Sequence, residues 1–400
     1  MKKKLLPFLL LLATGLSLFS GCSQKTGVKL DPANPVAIEI WHYYNGAQKA
    51  AFDQLVTEFN ETVGAEEGII VEALNHGNVS ELINSVLDSA DNKVGSDPIP
   101  NIFAAYADTA YQIDKKGLVA DLGQYLTEEE IDEYVPSYIE EGRLGEGQAL
   151  KIFPTAKSTE IFMLNKTDWD KFADATGASL DSLANMESLV ETARAYYEWT
   201  DSLTPEPNDG KAFFGRDAMA NYFIIGCKQF GIEIFSVDPN GKVTFQIDET
   251  VMRKLWDNYY IPFINGYFAA NGRFRSDDAR AGDLIALVGS NTSATFFPTQ
   301  VIIEEDRYSY PIEALALPAP VFAGGEPYAV QQGAGMVVTK STPEEEYASV
   351  EFLKWFTQTD RNVGFSILSC YLPVKNEANN AEKLNQIIEE QAEESFTPSM

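Results

Sequence analysis

The groups in this sequence that could do chemistry are 2 histidines, 3 cysteines and a large excess of acid, 59 Asp and Glu against 30 Lys and Arg. His42 and His76 do not fall in the His-Glu-x-x-His spacing that lets two imidazoles on one helix face share a zinc ion. No Gly-x-Ser-x-Gly elbow offers a nucleophile and no Gly-x-x-x-x-Gly-Lys loop cradles a phosphate. Gly333-Ala334-Gly335 lacks the third glycine of a dinucleotide fingerprint. Carboxylates are so plentiful that a pair for glycosidic acid–base work could be chosen anywhere, so none stands out. The runs Glu128-Glu129-Glu130 and Glu344-Glu345-Glu346 read as solvated first turns of helices. Binding without covalent chemistry, and without metal or cofactor, fits this inventory better than an enzyme does.

Cys22 is the exception. Lys2, Lys3 and Lys4 precede an apolar run of about 14 residues, too short to span a membrane as a helix. The run ends in Leu18-Phe19-Ser20-Gly21-Cys22, which resembles a bacterial lipobox with Phe19 where Leu is preferred. The expectation is a signal peptide over 1–21, a lipid on Cys22 and a location outside the cytoplasm on a membrane face. Residues 22–35 are polar, contain Gly27, Pro32 and Pro35, and read as a flexible tether. Cys227 and Cys370 could bridge in an oxidising compartment or serve as small buried apolar groups. The formal charge of −29 argues against nucleic acid or anionic lipid as partner.

The elements that would position a site follow an α/β plan. Residues 36–41, 69–74 and 101–105 read as strands, and the intervening segments carry helical stripes, Phe52, Leu55, Val56 and Phe59 in the first and Leu82, Ile83, Val86 and Leu87 in the second. Asn78 with Glu81 reads as a cap. Such alternation predicts a parallel sheet, in which ligands bind beyond the carboxyl ends of strands. Three polar loops stand there: His42 to Gly46, Asn75 to Asn78, and Tyr106 to Thr109. Past Phe153 the chain crosses into a helix-rich second lobe with a strand over 161–165 and one long amphipathic helix from Leu180 to Tyr197. Phe213, Phe214, Tyr222, Trp256, Tyr259, Tyr260 and Tyr267 crowd this lobe. Such rings stack on sugars or fill cores, and core is the reading taken for each.

The segments Ile40-Trp41-His42, Phe153-Pro154 and Met163-Leu164-Asn165-Lys166, and above all residues 348–356 followed by Cys370-Tyr371-Leu372-Pro373-Val374, resemble the extracellular solute-binding proteins of ABC importers, family 1. The similarity is to the glycerol-3-phosphate and carbohydrate binders and runs from about Val36 to the end. It implies a two-lobed periplasmic-binding-protein-like fold (type II) with discontinuous lobes joined by a hinge. The expected division is 36–154 plus about 312–343 for the first lobe and 155–311 plus about 344–400 for the second.

The partners the resemblance implies are a small solute (sugar, oligosaccharide or polyol phosphate), ABC permease subunits and a membrane through the anchor, the protein itself a monomer. Positions matching ligand contacts of the glycerol-3-phosphate type are Tyr106, Ser158, the Ser290-Asn291-Thr292 loop, Gly333 and Tyr371. Val79 replaces a tyrosine of that pattern and Ala107 a glutamate, with Asp108 adjacent. Tyr43, Tyr44, Asn45, Tyr106 and Asp108 would then act from one lobe and Ser158, Ser290, Asn291 and Tyr371 from the other, while Gly333 lets backbone approach the ligand. The chain ends at Met400, ahead of an arginine such receptors place near the ligand. Lys157, Arg216, Arg273 and Arg275 could replace it, although each is expected on the solvated surface. A surface glycoside hydrolase and a ligand-presenting sensor are the alternatives.

Overall fold

Strand and helix alternate because apolar residues recur at period two in some segments and near 3.6 in others. A computed structural model describes residues 27–145, 147–238, 242–303, 307–380 and 382–386; the expected signal peptide, Cys22 and the tail 387–400 lie outside the described residues. The elements of the first half that matter here are β1 (Val36–His42), α1 (Gly46–Glu61), β2 (Ile69–Asn75), α2 (Val79–Ala90), β3 (Ile102–Ala105), α3 (Ala107–Asp114), α4 (Pro136–Glu141), β4 (Ile152–Phe153) and β5 (Glu160–Asn165). They are followed by β6 (Phe214–Arg216), α5 (Met219–Gln229), β7 (Phe235–Val237), β8 (Val243–Phe245), α6 (Glu249–Ile264), α7 (Arg275–Ala281), β9 (Ala286–Ser290), β10 (Ala314–Pro318), β11 (Gly335–Val338), α8 (Pro343–Phe356) and α9 (Thr359–Ser369).

The first sheet has the order β2-β1-β3-β11-β4. β1 is parallel to β2 and β3, as the alternation predicts, and β11 runs antiparallel to β3 and β4. Helix α1 buries Phe52, Val56 and Phe59 on this sheet. At α2 the Asn78 cap is reciprocal: Glu81 N–H donates to Asn78 Oδ1 at 3.0 Å and Asn78 N–H to Glu81 Oε2 at 3.2 Å. The second sheet has the order β10-β5-β9-β6, with β5 antiparallel to β9 and β10 and β6 parallel to β9. Phe162, Phe213, Phe214 and Val288 form its core with Tyr222 and Tyr259, whereas Trp256 and Tyr260, read from sequence as core, are exposed on α6. The helix expected from Leu180 to Tyr197 is split. Asn185 accepts from Ser188 N–H at 3.0 Å and starts a new helix, Met186–Asp201, after the short turn Leu180–Leu183.

The structure draws the lobes differently from the sequence. Strand β10, expected with 312–343 in the first lobe, pairs along β5 in the second sheet, where Leu315 and Leu317 pack against its core. Helices α8 and α9, expected with 344–400 in the second lobe, bury Phe352, Leu353, Phe356 and Phe365 in the first core. The tether also ends sooner than expected. Leu30 packs against the first core, and Asp31 folds a turn by accepting from Ala33 N–H at 3.0 Å and Asn34 Nδ2 at 2.8 Å. Gly68, at φ +80°, lets this turn dock, since a Cβ there would lie 2.7 Å from the Asp31 carbonyl carbon. Cys227, buried in the second core, and Cys370 are both free. No helix among the described residues is long and apolar enough to cross a membrane.

Candidate functional site

The register of the first sheet brings the three expected loops to one edge, with His42 opposite Asn75 and β3 on the other side of β1. Asn45 ties the first two loops together, its Nδ2 donating to Tyr43 O at 2.9 Å and Gly77 O at 2.6 Å. Tyrosines then converge from distant positions. The hydroxyls of Tyr43, Tyr106 and Tyr371 come close enough to perturb one another's ionisation, and the backbone at Ala334 and Gly333 lies beside Tyr43 and Tyr106. Burial raises the pKa of Tyr43, Tyr44, Tyr106 and Tyr371, so all four remain neutral phenols that can donate and accept. Tyr43 and Tyr106 are half-buried and present rings and hydroxyls to the edge. Tyr44 does not: it is buried, with ring centroids 5.2 Å from Phe52 and 5.5 Å from Phe365, and supports the others. Tyr371, expected from the second lobe, belongs to the first core.

His42 lies beneath this edge, fully buried. Its Nδ1 accepts from Tyr44 N–H at 3.2 Å, and burial lowers its pKa to about 4 against the opposing pull of Asp53. Asp108 is exposed in the first turn of α3. It borders a cavity of about 680 Å³ between the lobes, lined by Tyr111 and Arg143 from the first lobe and by Val237, Asp238 and Val243 of the β7–β8 hairpin from the second.

Several expected contacts turn out to build the hinge. Ser158 and Gln332 exchange backbone hydrogen bonds of 2.9 and 2.8 Å, and Lys157 and Leu372 exchange bonds of 3.0 and 2.5 Å. Three backbone segments therefore run side by side where the chain passes between lobes. Gly333 stands at φ +92°, and a Cβ there would be 2.6 Å from Ala156 O. Its missing side chain admits the neighbouring strand. Asn291 is engaged at both ends of its amide: Oδ1 accepts from Thr159 N–H at 2.9 Å and Nδ2 donates to Cys370 O at 2.6 Å. Ser290 caps the following turn, its hydroxyl 2.9 Å from that of Thr292.

Three of the four cations expected in solvent are buried and paired. Lys157 is 2% exposed, and its Nζ donates to Glu141 Oε2 at 2.8 Å and Gly333 O at 3.0 Å. Burial lowers its pKa, partly offset by Glu141. Arg216 pairs with Glu160 across β9, and Asn221 Nδ2 donates to the other carboxylate oxygen at 3.0 Å. The Arg216 guanidinium lies 5.6 Å from the Tyr222 ring centre, and its Nε is buried without a partner. Arg275 pairs with Asp278. Arg273 is exposed, as expected, and packs over Phe274.

Sequence reasoning missed Glu141, Glu160 and Asp217. Asp217 accepts from Arg275 N–H at 2.9 Å, and burial raises its pKa against that bond. It borders a cavity of about 270 Å³ flanked by the exposed rings of Phe274 and Phe296. Arg216 and Glu160 border another of about 350 Å³. The available signal was charge interrupting apolar runs: Glu160 directly before 161–164, and Arg216-Asp217 directly after Phe213-Phe214-Gly215.

Over residues 54–390 the sequence matches the family of bacterial extracellular solute-binding proteins. The chain belongs to that family. As a solute-binding protein it binds its solute rather than transforming it, and the hydrolase alternative falls away. No curated relative matches it by sequence. Solved structures show the same two-lobed fold at low identity. The cyclic alpha-maltosyl-1,6-maltose binding protein of Arthrobacter globiformis is 18% identical, with a TM-score of 0.68 over 89% of this chain and 84% of its own. UgpB of Mycobacterium tuberculosis, in complex with glycerophosphocholine, is 18% identical with a TM-score of 0.67 over 89% and 84%. The maltotriose-bound maltose/maltodextrin-binding domain of Bdellovibrio bacteriovorus is 16% identical with a TM-score of 0.63 over 90% and 86%.

Proposed function

We propose that this solute-binding protein is the capture receptor of an ABC importer, tethered outside the cell by lipid on Cys22, and that its solute is a carbohydrate or related polyol. The observation that carries the reading is the convergence of Tyr43, Tyr106 and Tyr371 at a sheet edge, where Ala107 and Asp108, the next residues after Tyr106, line a space walled by both lobes. Neutral phenols combine a ring for the apolar face of a sugar with hydroxyls that exchange hydrogen bonds with its own. The sugar ligands of the Arthrobacter and Bdellovibrio structures agree with this. Within it, Tyr43, Asn45, Tyr106, Asp108, Tyr371, Ser290 and Asp217 contact the solute, Tyr44 supports them, and Ser158, Asn291 and Gly333 act through the hinge. Closing the lobes buries the solute more fully than either face alone can.

A calorimetric and thermal-shift screen against mono-, oligo- and phosphorylated sugars tests the reading, and no response from well-folded protein to any of them would sink it. Replacing Cys22 with Ala tests the anchor: the protein should leave the membrane fraction with solute affinity unchanged.

A further inference from the structure

We propose that the site selects uncharged solutes against phosphorylated or carboxylated ones, with Glu160 and Glu141 setting the preference by neutralising Arg216 and Lys157. The inference rests on the receptor reading above and narrows its ligand class. An anion site in a protein needs an uncompensated cation or a set of converging N–H groups. Two buried cations, Lys157 where the chain crosses between lobes and Arg216 on the second sheet, are both compensated. Lys157 gives its ammonium to Glu141 and Gly333 O, and Gln331 Nε2 donates to the same Glu141 carboxylate. Arg216 is held by Glu160, which Asn221 fixes from the other side.

The cavity walls repeat the pattern. Arg143 shares the interlobe cavity with Asp108 and Asp238. Arg280 shares the cavity at Asp217 with Asp217 itself and Asp277. Each wall is thus neutral or net negative, in a chain whose formal charge is −29. A doubly charged phosphate entering such a space loses hydration and meets repulsion, an effect of at least about a hundredfold in affinity. What the paired groups still offer suits a neutral partner. The Arg216–Glu160 pair, at the wall of its own cavity, presents no net charge for an anion to seek.

The test titrates the full chain, in buffer free of phosphate and sulfate, with maltotriose, glucose and glycerol against glucose 6-phosphate and glycerol 3-phosphate. Binding of a neutral probe at least about a hundredfold tighter than either phosphate ester supports the proposal. A phosphate ester binding as tightly as the neutral probes overturns it while leaving the receptor reading intact. Binding by none of them counts against the receptor reading itself. Glu141→Gln, at a partly exposed carboxylate, and Glu160→Gln, at a buried one, should each improve the phosphate-to-neutral affinity ratio at least about tenfold. If both fold and neither shifts that ratio, the assignment of these residues is wrong.

Discussion

The two polar edges, one in each lobe, are built on opposite principles. The first-lobe edge is a cluster of neutral phenols, with the uncharged His42 beneath. The second-lobe edge is charged but internally compensated, Arg216 against Glu160 and Arg275 against Asp217 and Asp278. A cluster of neutral hydroxyls tolerates loss of a member, because no charge is left stranded. A buried ion pair does not, since removing one half strands the other in low dielectric. The second edge should therefore be the brittle one and the first the adaptable one.

The sharpest way to break this contrast is Arg216→Ala, which leaves Glu160 buried without its cation. It should cost about 3–5 kcal/mol in urea unfolding, and replacing Glu160 with Gln in the same chain should recover most of that. Equal stability of single and double variants would refute the brittle edge. On the opposite side, His42 supplies a pH test. Its pKa is about 4 in the folded protein and about 6.5 when unfolded, so the unfolded chain takes up the proton first. The contribution of neutral His42 is complete above pH 6.5 and is lost as pH falls towards 4, about 3 kcal/mol in all. His42→Gln should flatten the fall in stability between pH 7 and pH 4 by that amount, and parallel profiles would contradict the assignment.

Asn291→Ala removes two hydrogen bonds to hinge backbone and should cost about 2 kcal/mol. Calorimetry should also show changed solute affinity with an unchanged preference among solutes, because Asn291 positions the lobes. A change in preference would make it a ligand contact after all. Tyr106→Phe is the mildest, about 1 kcal/mol in stability, with roughly tenfold weaker solute binding if its hydroxyl meets the solute. A larger stability loss than for Arg216→Ala would invert the comparison.

The first edge was legible in the sequence for a geometric reason. Loops that follow parallel strands must gather at one end of a sheet, so Tyr43, Asn45, Tyr106 and Asp108 could be picked from strand pattern alone. Tyr371 came from the resemblance and was assigned to the wrong lobe, because helices α8 and α9 carry apolar stripes that either core could have accepted. The second edge was not legible. Glu160 and Arg216 are 56 residues apart and meet only because β9 inserts between their strands, which no local pattern encodes. Asn291 and Gly333 were picked out as ligand contacts, and their packing against neighbouring backbone was not legible, since a polar or small residue near a strand end looks the same in either setting.

The ladder formed by residues 157–158, Gln332 and Leu372 is a ribbon of hydrogen-bonded backbone, with Gly333 keeping its rungs close. A ribbon bends across its width far more easily than it shears along its length. Two rigid bodies joined by one are left with essentially one soft coordinate, the angle between them. For a receptor of the proposed kind, solutes of quite different shape would be reported to a permease as the same mechanical variable, so the transporter needs to read only an angle and never the sugar.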